Sequence, residues 1–315
     1  MAAGPTEPGP GGGTFRCVRQ RAAASGYDGR LILRDPGTRA LFLILPAILL
    51  AGCKPPERPA VTSIVGAVLL DGTGGPPISD SVVTIENGRI RAAGARASLL
   101  VPPEAEKIDG AGRFIVPGLI DVAQSASLSG GVRVVRPGEA DAVLDQARQD
   151  HRPLLAEVSS LREARTMVDR GATGFLHMIR DQEVTDAALV ARLRDLRIVF
   201  VPMLATESRP AELALAKRNT RRLADGGVLM AMGSGGDPYR EMELMVEAGL
   251  TPSEVLVAST QHGARALATL DQAGTLEPGK RADLMLLSAN PAEDIRNVRK
   301  IDRVMRGGVW IAGAR

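Results

Sequence analysis

Histidine, cysteine and aromatic side chains are scarce in this sequence of 315 residues, which has three His, two Cys, one Trp and an aromatic content of 3%. With so few rings the core must be aliphatic, and a hydrophobic content of 44% is ample for that. Two cysteines, with Cys17 far forward of the body, exclude a small disulfide-stapled scaffold. Three histidines are thin material for a metal centre built on imidazoles. No apolar run reaches the ~20 residues of a membrane-spanning helix, since the run from Leu41 to Gly52 is about half that length. A surface of one charge sign is missing as well. The net +3 arises entirely within residues 1–52, and residues 53–315 carry 33 basic and 33 acidic side chains. A neutral body without a basic stripe leaves no electrostatic footprint for nucleic acid.

The front of the chain differs from the rest. Residues 1–38 are rich in Gly, Pro, Ala and Arg without an apolar period, which predicts a disordered leader. Residues 39–53 follow with a basic flank at Arg39, a short apolar core and small residues before a break, the pattern of a secretory signal. Within it, Leu50-Ala51-Gly52-Cys53 resembles the bacterial lipoprotein box. That resemblance implies an acylated Cys53 holding the chain to a lipid bilayer on the extracytoplasmic side of a bacterial envelope. The alternative is an uncleaved anchor with a chance cysteine.

From Val61 to Ile115 the pattern is strand and turn, and Asn87-Gly88 between two apolar runs predicts a hairpin because both turn positions need positive φ. Strand signals return from Thr275 to Arg315. Between these flanks, residues 116–270 alternate short apolar runs with amphipathic helices: Ile115–Val122, Pro153–Val158, Gly174–Met178, Ile198–Met203 and Val228–Gly233. One helix starts at Ser160, places Leu161, Ala164, Met167 and Val168 on one face, and stops before Gly171. Thr251-Pro252-Ser253-Glu254 is a capping box with proline at the first helical position. Such alternation implies parallel β/α units, five of them.

The stretches "IDGAGRFIVPGLID", "GATGFLHM" and especially "GTLEPGKRADLMLLSANP" resemble the amidohydrolase superfamily, in the branch of imidazolonepropionase- and prolidase-like enzymes. The resemblance implies an α/β fold: a (β/α) TIM-type barrel inserted in a small β-sandwich that both ends of the chain (61–115 and 275–315) build. Here the barrel is incomplete, with 155 residues against the ~250 of a whole one. The family hydrolyses non-peptide C–N bonds with one or two divalent metals, whose ligands project from the C-terminal strand ends.

Carried onto this chain, most of those ligands are replaced. The first strand should end Asp-x-His-x-His, and Asp121 is followed by Ala123 and Ser125. Glu157 stands at the position of the next ligand histidine, His177 is retained, and Gly235 occupies the place of the proton-handling aspartate, with Asp237 two residues on. Two readings follow. In one, the metal site is lost and the chain is a non-catalytic envelope protein whose cleft holds a small polar ligand. In the other, Glu157, His177 and Asp237 form a rebuilt mononuclear site for Zn, Mn or Fe, with Glu157 or Asp237 as base. His151, in a turn entering a strand, and His262, within a helix, fit no ligand spacing. Ser125, Ser127 and Ser129 lack the strained elbow of a nucleophile, and "MGSGGD" reads as a glycine turn. Five parallel strands cannot close into a barrel, so an open sheet packed on the sandwich is expected, with a homodimer as one way to cover its edges.

Overall fold

The computed structural model describes residues 61–311 apart from positions 130, 137 and 140, so the leader, the signal segment and Cys53 lie outside the described residues. The body opens with β1 (Val61–Leu69), β2 (Ile78–Glu86), β3 (Arg89–Ala95), β4 (Glu106–Asp109) and β5 (Phe114–Pro117). Asn87 and Gly88 both take positive φ, 52° and 76°, and set Glu86 opposite Arg89, as the hairpin signal requires. The bridge from β1 to β4 and β5 is parallel, whereas β1–β2–β3 is an antiparallel ribbon.

The middle of the chain alternates helix and strand. Its elements are α1 (Val122–Ser129), β6 (Arg133–Val135), α2 (Asp141–Gln149), β7 (Leu154–Glu157), α3 (Leu161–Asp169), β8 (Gly174–Leu176) and α4 (Ala187–Asp195). They continue with β9 (Val199–Val201), α5 (Pro210–Asp225), β10 (Leu229–Met230), α6 (Pro238–Glu247), α7 (Pro252–Val257) and, beyond a π-type turn, α8 (Gly263–Ala266). The expected capping box of Thr251 with Glu254 forms, and Ser160 with Glu163 makes a second one, each satisfying two of the orphan donors at a helix start.

Strands β10-β9-β8-β7-β6 pair in parallel in that order. There are five, as the sequence predicts, but not the same five. Ile115–Val122 does not enter this sheet. Its first half is β5, and Pro117 ends that ladder because it has no N–H to donate. Asp121 then accepts from the Gln124 amide at 3.1 Å and starts α1. The fifth parallel strand is β6, three residues long and flanked in sequence by Gly131 and Pro137, which hid it.

Side chains on these strands alternate between two buried faces. Ala156, Phe175, Phe200 and Met230 face the helices, with the Phe175 and Phe200 rings 4.9 Å apart. Leu155, Leu176, Val199 and Val201 face the other way, onto Val122 and Ala126 of α1 and Ala266. Thus α1 packs on the face of the open sheet turned away from most of the other helices.

The last strands, β11 (Leu284–Leu287), β12 (Ile301–Arg306) and β13 (Val309–Trp310), return to the first sheet. β11 pairs antiparallel with β5, which joins both ends of the body in one eight-stranded network ordered β13-β12-β11-β5-β1-β2-β3, with β4 on β1. Its core is Ile64, Leu69, Val83, Ile85, Ile115, Leu284 and Leu286.

Candidate functional site

A cleft of about 400 Å³ opens at the C-terminal ends of β7 and β8, bounded by α1 and the segment around β6. Glu157, the last residue of β7, reaches its rim, where Oε2 accepts from Arg136 Nε at 2.9 Å. His177 follows β8 directly in the left-handed region, φ 67°, a conformation that histidine tolerates better than most side chains. Burial holds its imidazole below the ordinary histidine range; the Arg180 charge lowers it further, while Glu157 and Glu207 oppose the shift. The ring is therefore neutral at neutral pH. Glu139 contributes a buried carboxylate oxygen without a hydrogen-bond partner among the described residues. The floor is apolar: Ala123, Ala126, Val134, Leu176 and Met203.

Of the three residues proposed for a rebuilt metal centre, the structure brings Glu157 and His177 to this cleft and leaves Asp237 elsewhere. Asp237 is exposed at the start of α6 and accepts from the Arg240 amide at 3.0 Å, so its carboxylate serves as a helix cap. Among the described residues, no group of three His, Cys, Asp or Glu side chains is placed to hold a metal ion. His151 is exposed, and the Nδ1 of His262 lies 2.8 Å from the Met230 carbonyl oxygen, both away from the cleft.

Two further acidic residues lie outside this cleft: Asp121, which opens the altered first-strand motif, and Glu241, which sequence reasoning passed over. Asp121 accepts from the Ser234 hydroxyl at 2.5 Å and from the Ser234 amide at 3.2 and 3.3 Å. Glu241 on α6 is completely buried, with one oxygen accepting from the Ala205 amide at 2.7 Å and the other buried without a partner. Desolvation drives its pKa up to about 7, against hydrogen bonds from the amides of Ala205 and Leu204, with the Asp121 charge adding to the rise. The signal was present in the sequence: Glu241 shares the apolar face of α6 with Met242 and Met245, where a carboxylate is out of pattern.

An incomplete parallel β/α barrel on a composite sheet, with its cleft at the C-terminal strand ends, defines an α/β protein with a partial TIM-type barrel. Residues 148–311 match the model of the Amidohydrolase family, and the chain belongs to that family. It is 31% identical over 102 residues to imidazolonepropionase of Geobacillus kaustophilus (strain HTA426), covering 29% of this chain and 24% of that protein. The likeness to imidazolonepropionase of Rhizorhabdus wittichii is longer, 29% identity over 230 residues, covering 65% of this chain and 56% of the relative. The chain thus spans between about a quarter and just over half of the length of these curated relatives. Among solved structures, phenylurea hydrolase B superposes with a TM-score of 0.68 at 18% identity, over 81% of this chain and 97% of that one. Molinate hydrolase gives 0.66 at 18% identity, over 81% and 95%. At these identities the likeness is one of fold.

The family implies a divalent metal, and the residues present do not fit one. Asp121 is committed to Ser234 and Glu157 to Arg136. Ala123 and Ser125 stand where imidazoles are expected, and on α1 residues two apart point about 200° from each other, so even histidines there would not converge. At Gly235, φ 65°, an added Cβ would meet Thr206 Cγ2 at 2.8 Å, so an aspartate here would strain the backbone and require Thr206 to shift.

Proposed function

We propose that this amidohydrolase-family chain has lost the metal site and with it the hydrolysis of C–N bonds, and that the cleft by His177 binds a small polar ligand. The observation that carries the reading is the conversion of the first strand's end into α1: the backbone that should present two ligands now packs Val122 and Ala126 against the parallel sheet. What remains at the rim is a set of groups of both signs, namely Arg133, Arg136, Glu139 and Glu157, over an apolar floor with one neutral imidazole. Such a lining suits a small molecule that carries both a cationic and an anionic group. No step of the family's reaction is assigned to these residues.

Restoring the missing side chains separates a lost site from a merely mutated one. The double variant Ala123→His/Ser125→His is expected to bind zinc no better than the parent, because the helix points the two rings apart. Zinc binding at one equivalent by that variant, shown by calorimetry, would mean that the strand end can re-form and that the reading is wrong.

The setting is proposed to be the bacterial envelope, with acylated Cys53 as anchor and residues 54–60 as a tether; the lipoprotein-like run up to Cys53 supports it. Mass spectrometry of protein from a lipoprotein-processing host is expected to show an acylated N-terminal Cys53. An N-terminus upstream of Cys53 without acyl chains would refute the anchor.

A further inference from the structure

The opposite end of the parallel sheet holds a second cavity, of about 530 Å³, below the N-terminal ends of β7, β8 and β9. Its walls are apolar, with Val168, Leu196 and Ile198 among them, and no carboxylate lines it. Three arginines do: Arg192, Arg197 and Arg265. Arg192 is engaged by Asp169 at 2.7 Å. Among the described residues neither Arg197 nor Arg265 has an ion-pair partner, in a molecule where most other guanidiniums do. Arg265 Nε is moreover buried with no acceptor.

We propose that this cavity binds a small organic anion, its oxyanion head between Arg197 and Arg265 and its apolar body along Val168, Leu196 and Ile198. Two guanidiniums lining one pocket repel each other, and the buried Nε of Arg265 is a hydrogen-bond donor left unmet. A carboxylate or phosphate head repairs both faults at once, because its oxygens match the guanidinium fork and its charge offsets the pair. Burial, and then the Arg197 charge, hold the Arg265 guanidinium below the ordinary arginine range. The site is independent of the His177 cleft, which lies at the other end of the strands, and it stands or falls separately from the function proposed above.

Arg197 also supplies a clean test. It occupies the left-handed position that ends α4, with φ 54°, where α3, α5 and α6 end on Gly171, Gly227 and Gly249. Arg197→Gly therefore relaxes the backbone while it removes one arm of the site. Thermal melts of the full body with hexanoate or hexyl phosphate at about 10 mM are expected to rise by about 3 °C in the parent. In Arg197→Gly and in Arg265→Met the rise is expected to vanish, with binding at least about tenfold weaker by calorimetry, while Arg197→Gly itself melts no lower than the parent. Retention of the full shift in Arg197→Gly would overturn the proposal, as would an equal shift from hexylamine. An inorganic phosphate shift as large as that from hexyl phosphate would overturn the apolar half of the site.

Discussion

Glu241→Gln is expected to remove a loss of stability that the parent protein suffers between about pH 4.5 and 7. The carboxyl is buried, one of its oxygens lacks a partner, and its folded pKa is about 7 against an ordinary 4.5. Because the folded state holds the proton more tightly than the unfolded state, stability falls as pH rises through that window. Below pH 4.5 both states are protonated and the effect is absent; above pH 7 it is fully present. A displacement from 4.5 to 7 corresponds to about 3 kcal/mol, or roughly 6–12 °C in Tm for a body of this size. Other groups act elsewhere or with opposite sign. Glu247, lowered by Lys217 and Arg240, and Glu277, lowered by Lys280, stabilise the fold above the ordinary carboxylate pKa and lose that contribution at more acid pH. His177 and His262, both lowered chiefly by burial, lose stability as pH falls below 6.5 and so oppose Glu241 within part of its window. The informative quantity is thus the difference between parent and Glu241→Gln, measured by urea unfolding at pH 5 and pH 8. It should favour the variant more at pH 8 by about 2.5 kcal/mol. A difference that does not change with pH would show that Glu241 stays ionised throughout.

The second large effect concerns α1. Ala126 is 6% exposed and faces Leu155, Leu176 and Val201 of the parallel sheet, whereas Ser127, the next residue, is exposed. Ala126→Asp places a carboxylate against that apolar surface and is expected to cost about 3 kcal/mol. Ser127→Asp changes charge by the same amount one position along and is expected to stay within about 0.5 kcal/mol of the parent. Paired denaturation curves check the contrast. Equal tolerance of the two substitutions would mean that α1 does not cover the sheet.

Much of this architecture was legible because local chemistry and global fold agree. Asn87-Gly88, Ser160 with Glu163, and Thr251 with Glu254 each specify their turn or helix start within a few residues, and the apolar runs at β7, β8 and β9 carry the β-branched and aromatic residues of strands buried on both faces. The first strand misled because Ile115–Ile120 carries no polar side chain, while its fate was set by Pro117 and by the cap at Asp121, and because β6 is too short to show a period. Glu157 and His177 were read from position alone, and the structure does place both at strand ends on one cleft. Asp237 was not separable from a ligand by sequence, since an Asp-Pro pair begins a helix as readily as it offers a carboxylate. Long-range pairings such as Asp121 with Ser234 and Glu241 with the Ala205 amide leave no local trace.

Metal content of the native protein, purified without chelators and measured by mass spectrometry together with its melting temperature in added zinc or manganese, decides whether the chain has lost its metal site. Less than about a tenth of an equivalent of bound metal and an unchanged melting temperature are expected, because among the described residues no three His, Cys, Asp or Glu side chains are grouped to hold a metal, where a catalytic zinc takes about three. One tightly held equivalent that disappears in His177→Ala would contradict that loss.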